Sequence, residues 1–262
     1  METSPLISFV VVNYRSRAHL PMCANSIAAK TSGLSAEVIV VNNDEGILSK
    51  NSLPPNTRVI EVGKNIGFGA AANRGVTIAT GKFLCFLNPD AEISTGHIRQ
   101  IIERFQSNQS LGIIGPRIVT TTTEVEPWSA GREVTLWSIV CNNLGFPAGK
   151  RLWESTTPVE TAWVSGACFF IPTGLFRQLN GFDEQFFMYF EDVDLAKRVR
   201  ATGRKVLRVP DLTVRHLGGQ SFQENSEQKK LYYASQKKYF RKYFGFFACQ
   251  TLSLLHAFSH RQ

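Results

Sequence analysis

Short apolar runs alternate with helix-length segments through the first half of the chain, and this alternation restricts the fold more than any other feature. Ile7 to Val12, Glu37 to Val41, Arg58 to Val62, Phe83 to Leu87 and Gly112 to Ile118 read as strands. Segments near Ala18 to Lys30, Ala70 to Thr80 and Thr95 to Gln106 read as helices between them. Strands spaced by helices need crossover connections, which predicts an α/β domain with a mainly parallel sheet flanked by helices. A chain of 262 residues is long enough for a sizeable core, and α/β domains of this size often stay single.

From Thr120 to about Pro158 the pattern degrades. Thr120-Thr-Thr-Thr is β-prone, while Pro127, Gly131, Gly145, Pro147 and Gly149 punctuate an apolar stretch. A hairpin followed by a mobile or partner-contacting segment is the expectation there. Order returns at Thr161 to Ile171, a strand interrupted by Ser165-Gly166, where glycine marks either a bulge or a close approach by a ligand. The five cysteines (Cys23, Cys85, Cys141, Cys168 and Cys249) are scattered without metal-type spacing, so a reducing cytoplasm is expected. Met1-Glu-Thr-Ser-Pro lacks a signal-peptide pattern, and no apolar window reaches the length of a spanning helix.

Two sets of carboxylates stand at ends of these elements. Phe186-Phe-Met-Tyr-Phe runs straight into Glu191, Asp192 and Asp194. Leu195, Ala196 and Val199 then recur at helical spacing and Gly203 supplies a stop, so the acids open a short helix with a buried entrance. N-terminal capping, favoured by exposed N–H groups and the macrodipole, is the plain alternative. Asp90 follows the strand Phe83 to Leu87 and the break Asn88-Pro89. A carboxylate just past the carboxyl end of a buried strand in an α/β protein lies where ligands bind. As a hard oxygen ligand Asp90 suits a divalent cation held against a diphosphate; its plain alternative is a turn residue.

Seven segments occur in one order: Val10-Val-Val-Asn-Tyr, Val40-Val-Asn-Asn-Asp, Asn65-Ile-Gly-Phe-Gly-Ala-Ala-Ala-Asn-Arg-Gly, Leu87-Asn-Pro-Asp-Ala, Val164-Ser-Gly-Ala, Gly181-Phe-Asp-Glu and Phe187-Met-Tyr-Phe-Glu-Asp-Val-Asp-Leu. The set resembles the family-2 inverting glycosyltransferases of the GT-A (Rossmann-like) fold, most of all their bacterial rhamnosyltransferase branch, over roughly residues 6 to 220. The resemblance implies a GT-A domain over residues 1–225, with a nucleotide-sugar half at 1–118, an acceptor and catalytic half at 119–225, and a separate tail at 226–262. It implies Asp192 as the base that takes the acceptor proton, supported by Glu191, and an acceptor site at Ser165 and Gly166. His216, which follows the probable strand Asp211 to Arg215, matches a family histidine that helps Asp90 hold Mg²⁺ or Mn²⁺.

For the donor, short polar side chains at the ends of adjacent strands can read the hydrogen-bonding edge of a pyrimidine. Asn13 and Tyr14 end the first strand, and Asn42 and Asp44 end the second, with Asn42 standing where the family usually has Asp. Asn65, Gly67, Phe68, Asn73 and Asn88 complete the expected nucleotide-sugar site. Asn88 replaces the family's second acid, which implies modest metal affinity. The closest resemblance implies dTDP-rhamnose as donor and a glycan or lipid-linked glycan as acceptor, in polysaccharide assembly of the O-antigen kind.

Rival classes are weaker. Gly67-Phe-Gly-Ala-Ala-Ala matches a dinucleotide fingerprint with Asp90 about 20 residues on. The preceding strand ends several residues too early for that fold, and a dehydrogenase leaves Glu191 and Asp192 without a task. A nucleotidyltransferase needs a glycine-rich loop after the first strand, and Asn13-Tyr-Arg-Ser-Arg has none. A non-catalytic nucleotide-sugar-binding module is the remaining alternative. No nucleic-acid partner is expected, because the net charge of +8 is concentrated away from the core.

Most of that charge lies in the tail, where Gln228 to Gln262 carry seven Lys or Arg and no acid. On a helix Lys237, Lys238, Arg241 and Lys242 span one arc of roughly 140°, with Tyr239, Phe240, Tyr243, Phe244, Phe246 and Phe247 opposite. This predicts an amphipathic helix on an anionic membrane surface, peripheral to the inner face of the cytoplasmic membrane, in a chain that stays folded when cut after Ser226. The alternative packs the aromatics on the catalytic domain and leaves the lysines solvated.

Overall fold

β1 (Ile7–Asn13) is buried at every residue, as a strand must be when helices cover both faces of its sheet. The computed structural model, which describes residues 4–55, 57–147, 149–218 and 225–259, continues the alternation. After β1 come α1 (Leu20–Lys30), β2 (Ala36–Asn42), β3 (Thr57–Glu61), α2 (Phe68–Ile78) and β4 (Phe83–Leu87). β1 pairs in parallel with β2 and β4, and β2 with β3. Phe9 and Val11 face one core with α1, whereas Val10 and Val12 face a second core with α2. That division follows from the two-residue period of a strand.

Beyond β4 the chain becomes less regular. β5 (Ala91–Thr95), α3 (Ile98–Ser107) and β6 (Leu111–Val119) lead to the short β7 (Ala130–Gly131), α4 (Leu136–Asn143) and α5 (Lys150–Trp153). β8 (Val159–Thr161), β9 (Trp163–Val164), β10 (Cys168–Pro172), α6 (Thr173–Gln178), α7 (Glu191–Ala201), β11 (Lys205–His216) and α8 (Asn225–Ser259) complete it. The main sheet has the order β3-β2-β1-β4-β10-β6-β11-β5, with β8 on β11. Strands from both halves of the chain are thus laid into one sheet.

The expected strand from Thr161 to Ile171 is three pieces, and Ser165-Gly166 joins β9 to β10 rather than bulging within a strand. β10 is antiparallel to both β4 and β6. Its first residue, Cys168, pairs with Leu87 at the last position of β4, so the Ser165–Ala167 segment arrives at the carboxyl edge of the parallel strands. β5 replaces the start of the helix expected from Thr95. It pairs antiparallel with β11, and the register sets His216 opposite Ala91, next to Asp90.

The tail departs from its predicted geometry. α8 is broken at Gly245 (φ 81°, ψ −174°), and the second arm returns on the first, with Cys249 Sγ 3.7 Å from the Lys237 carbonyl oxygen. Tyr239, Phe240 and Leu252 have no exposed surface and share a core with Ile139, Phe186, Phe190 and Val193. The division into a basic face and an opposite aromatic face does not hold at specific residues. Lys242 Nζ bonds Asp194 Oδ1 at 2.5 Å and Asp183 Oδ2 at 2.6 Å, and Lys238 Nζ bonds the Gln185 carbonyl oxygen at 2.6 Å. Phe246 and Phe247 face outward instead. Asp194 is fully buried, and a buried carboxylate draws cations to itself. A cut after Ser226 therefore removes part of a core and one partner of a buried charge.

Candidate active site

A cleft of about 740 Å³ opens at the carboxyl edge of the parallel strands, where ligands bind in open α/β sheets. Tyr14 follows β1, Asn43 follows β2, and Asn88 and Asp90 follow β4; all four line it. Ser165, Gly166, Glu191, Asp192 and His216 line it as well, so the structure brings the predicted acceptor, catalytic and metal residues together.

The loop that delivers the acids is strained. Tyr189 and Phe190 both have φ 67°, a conformation that costs a non-glycine residue about 1–3 kcal/mol. Neighbours on two sides hold it. The Phe187 carbonyl accepts from Phe68 N–H at 2.9 Å, and the Met188 carbonyl accepts from Ser235 Oγ of α8 at 2.7 Å. The Phe190 ring lies 5.4 Å from those of both Tyr232 and Tyr239. Gly67 makes the first support possible: at φ 90°, a Cβ there would meet the Phe187 oxygen at 2.5 Å. The glycine motif thus admits a protein loop, and its likeness to a dinucleotide fingerprint is a coincidence of spacing.

Capping alone does not account for these acids, although Glu191, Asp192 and Asp194 all stand in the first turn of α7. Phe190 occupies the N-cap, and no side chain caps α7. Asp192 Oδ2 instead accepts from Gly166 N–H at 2.7 Å, across 26 residues of sequence, while Oδ1 accepts from Val193 N–H at 2.8 Å. Glu191 is buried, and its Oε2 has no hydrogen-bond partner among the described residues. Burial pushes the Asp192 carboxyl above the usual aspartate range against the pull of these N–H groups. Burial and the neighbouring Asp192 charge push Glu191 well above the glutamate range. Asp194 takes no part in raising Asp192. It turns away from the cleft and accepts from Arg198 Nε at 2.7 Å, Lys242 Nζ at 2.5 Å and Tyr243 OH at 2.6 Å.

Four residues predicted to read the donor do not line the cleft. Asn42 is fully engaged: its Oδ1 accepts from Asn13 Nδ2 at 2.8 Å, and its Nδ2 donates to the Gly46 carbonyl and to Glu61. Asn42 and Asn13 beside it are both wholly buried, so neither presents an edge to a base in the cleft. Asp44 accepts from the Arg15 and Glu45 N–H groups and shapes the turn that carries Tyr14. Asn73 brackets Phe182, donating to its carbonyl and accepting from its N–H, each at 2.9 Å, so it ties α2 to the segment before the acids. Asn43, beside two predicted residues, does line the cleft and holds the Asn65–Gly67 turn by accepting from Ile66 N–H and donating to Asn65 Oδ1. Asn65, Gly67 and Phe68 remain in the lining.

At the cleft Asp90 is buried and His216 partly so, with His216 Nε2 3.4 Å from Asp90 Oδ1. On the other edge of the ring, Nδ1 lies 2.9 Å from Glu126 Oε2. Burial alone would lower the imidazole; hydrogen bonds and charge from Asp90 and Glu126 outweigh it and raise it to about 10. Burial alone would raise Asp90, and His216 holds it below the usual range. A carboxylate and an imidazole on an open cleft fit a Mg²⁺ or Mn²⁺ site, since such ions take one or two protein ligands and complete their shell with phosphate and water. Among the described residues no cluster of three or more His, Cys, Asp or Glu suits a metal, in keeping with Asn88 in place of a second acid.

Several lining residues carry no signal in the sequence. Trp128 and Trp153 pack at 5.0 Å between ring centroids, and Trp163 fixes its ring by donating Nε1–H to the Arg132 carbonyl at 3.0 Å. These and Glu126 come from the stretch where the pattern degrades or from just beyond it. Tyr232 comes from α8, so the tail supplies part of the cleft wall.

Comparison with known proteins agrees with this geometry. A relative in Mycobacterium tuberculosis, N-acetylglucosaminyl-diphospho-decaprenol L-rhamnosyltransferase, is 29% identical over 80% of this chain and 76% of its own. The low-salt glycan biosynthesis hexosyltransferase Agl10 of Haloferax volcanii is 28% identical over 74% of this chain and 61% of its own. Among solved structures, GalNAc-T7 with UDP, GalNAc and Mn²⁺ superposes with a TM-score of 0.69 at 19% identity over 91% of this chain, which spans about half (48%) of that one. A mannosyltransferase from Pyrobaculum calidifontis with GDP-Man and Mn²⁺ gives 0.60 at 15% identity over 92% of this chain and 64% of that one. These structures show the GT-A fold. Residues 8–171 match the family model for glycosyl transferase family 2, and the chain belongs to that family.

Proposed function

We propose that this glycosyltransferase moves a sugar, rhamnose in our reading, from a nucleoside-diphosphate donor to a hydroxyl of a glycan or lipid-linked glycan, with inversion, in cell-surface polysaccharide assembly. The observation that carries the reading is Asp192, whose carboxyl accepts from Gly166 N–H in the cleft beside the buried Glu191, whose proton affinity burial and the Asp192 charge raise. The name of the Mycobacterium tuberculosis relative supports rhamnose and a diphospho-lipid acceptor.

Of two adjacent acids whose environments set their proton affinities apart, the one that ionises first serves as base. Asp192 has two backbone N–H bonds to stabilise its charge and Glu191 Oε2 has no partner, so Asp192 is the base and Glu191 the neutral neighbour. Asp192 takes the proton of the acceptor hydroxyl as that oxygen bonds to the anomeric carbon. The bond from that carbon to the donor phosphate oxygen breaks, and the nucleoside diphosphate leaves with the electron pair. A divalent cation, when bound by Asp90 and His216, supplies charge against that leaving group. Arg132, exposed in the lining and without an ion pair among the described residues, adds a further counter-charge. Asn43, Asn65, Gly67, Phe68 and Asn88 receive the donor. Ser165 and Gly166 receive the acceptor, with the tryptophan wall offering flat faces to sugar rings.

The membrane partner is also a proposal, revised in its residues. Phe246, Phe247 and Leu254 on the returning arm of α8 are exposed, as are Trp137, Leu144 and Phe146 on and after α4, against which α8 packs. Lys237 and Arg241 are exposed and make no ion pair among the described residues. Aromatic and basic groups together suit an anionic lipid surface that presents a lipid-linked acceptor. No helix among the described residues is long and apolar enough to cross a membrane.

Asp192→Asn should bind nucleoside diphosphate normally in calorimetry yet lose roughly two to four orders of magnitude in turnover; near-normal turnover would remove Asp192 as the base. Glu191→Gln tests the second assignment by stability. Because the folded carboxyl binds its proton more tightly than the unfolded one, wild type loses stability as pH rises from about 4.3, the unfolded value, through the raised folded value. The variant should therefore melt higher than wild type at neutral pH, with the gap closing at acid pH; a lower melting point at neutral pH would contradict this. For the membrane, the full chain should sediment with anionic liposomes at low salt and release as salt rises, and Phe246→Ser with Phe247→Ser should abolish sedimentation. Indifference of the wild type to such liposomes removes the membrane reading.

A further inference from the structure

We propose that Glu126 is a positioning residue for the metal-binding histidine: it holds His216 through Nδ1 so that Nε2 faces Asp90 and the cation. The inference rests on Asp90 and His216 being cation ligands, and extends that reading to a residue from a stretch with no recognisable motif.

Three observations carry it. The first is which edge of the ring each acid meets. Glu126 Oε2 and Oε1 lie 2.9 and 3.2 Å from Nδ1, whereas Asp90 Oδ1 lies 3.4 Å from Nε2. The two nitrogens point to opposite sides of an imidazole, so Glu126 cannot share a cation with Asp90 while it holds Nδ1. Once a cation takes the place of a proton on Nε2, the remaining N–H is at Nδ1, where Glu126 accepts it.

The second observation is that Glu126 is itself fixed. The chain leaves β6 and turns back in a tight hairpin, with Thr120 N–H donating to the Glu124 carbonyl at 2.8 Å and Val119 bridging Val125. Glu126 N–H then donates to the Ile118 carbonyl at 3.0 Å, and its own carbonyl accepts from Ser129 Oγ at 2.8 Å. With its main chain so anchored, the Glu126 carboxylate meets the ring from a fixed base and can limit its rotation.

The third is the shortage of other ligands. With Asn88 where a second acid would stand, Asp90 and His216 are the two protein ligands, and a misoriented histidine leaves one. Carboxylates that orient metal-bound histidines commonly account for 10–100-fold in metal affinity.

The test titrates the full chain with Mn²⁺ in the presence of thymidine diphosphate, following free Mn²⁺ by electron paramagnetic resonance. Glu126→Ala should weaken Mn²⁺ binding about 10–100-fold, with thermal stability and Mn²⁺-free binding of thymidine diphosphate unchanged. Glu126→Gln should fall between the two, since its amide oxygen still accepts from Nδ1–H, and it carries the test if the alanine variant does not fold. Unchanged Mn²⁺ affinity in both variants overturns the role of Glu126 while leaving Asp90 and His216 as ligands. No Mn²⁺ binding by wild type overturns the ligand reading itself, and the proposal with it.

Discussion

The hydrogen bond from Gly166 N–H to Asp192 Oδ2, at 2.7 Å, joins two parts of the cleft that come from distant stretches of the chain. One end belongs to the segment entering β10, which reaches the carboxyl edge of the sheet because β10 runs antiparallel between β4 and β6. The other end belongs to α7, whose head arrives through two residues in the left-handed conformation. The loop before α7 is pinned by α2 on one side, where only glycine fits at Gly67, and by α8 on the other. The strain in the loop is thus balanced by contacts from elements far apart in sequence, the usual condition under which such backbone persists.

The same arrangement explains why the basic tail is part of the catalytic body. Asp194, two residues past Asp192, is fully buried, and an unpaired buried carboxylate would be costly. Arg198 supplies one partner from within α7, and Lys242 with Tyr243 supply two more from α8. Placing α8 there covers Phe190 and Val193 and brings Tyr232 into the cleft wall. Charge that looks, in the sequence, like a face for an external partner is therefore divided. Lys238 and Lys242 work inward on the domain, and Lys237 and Arg241 remain outside.

What could be foreseen from sequence follows from how local each signal is. Fully buried strands such as Ile7–Asn13 and Phe83–Leu87 announce themselves as apolar runs, and a parallel sheet follows from their spacing. Asp90 and Asp192 were legible as acids at element ends within a recognisable series of segments. β5 was not, because of its five residues only Ala91 and Ile93 are apolar and buried, and they form a strand only against β11, some 120 residues later. Asn42 and Asn73 sit in the right segments with their hydrogen bonds already used inside the protein, which no local pattern reveals. Glu126 and Tyr232 reach the cleft only through the fold. The sequence pattern locates strand ends well; it does not tell a side chain facing the ligand from one supporting its neighbour.

The central claim is that an acceptor oxygen, freed of its proton by Asp192, displaces the nucleoside diphosphate in one step, with no covalent sugar intermediate on the protein. The stereochemistry of transfer tests this most directly. Once a panel of nucleotide sugars has identified a donor that the enzyme turns over, proton NMR of the product, recorded early in the reaction, gives the anomeric configuration of the new linkage. The account predicts the configuration opposite to that of the donor. A product with the donor's own configuration would contradict it, because retention requires either two displacements or an attack from the face the leaving group occupies.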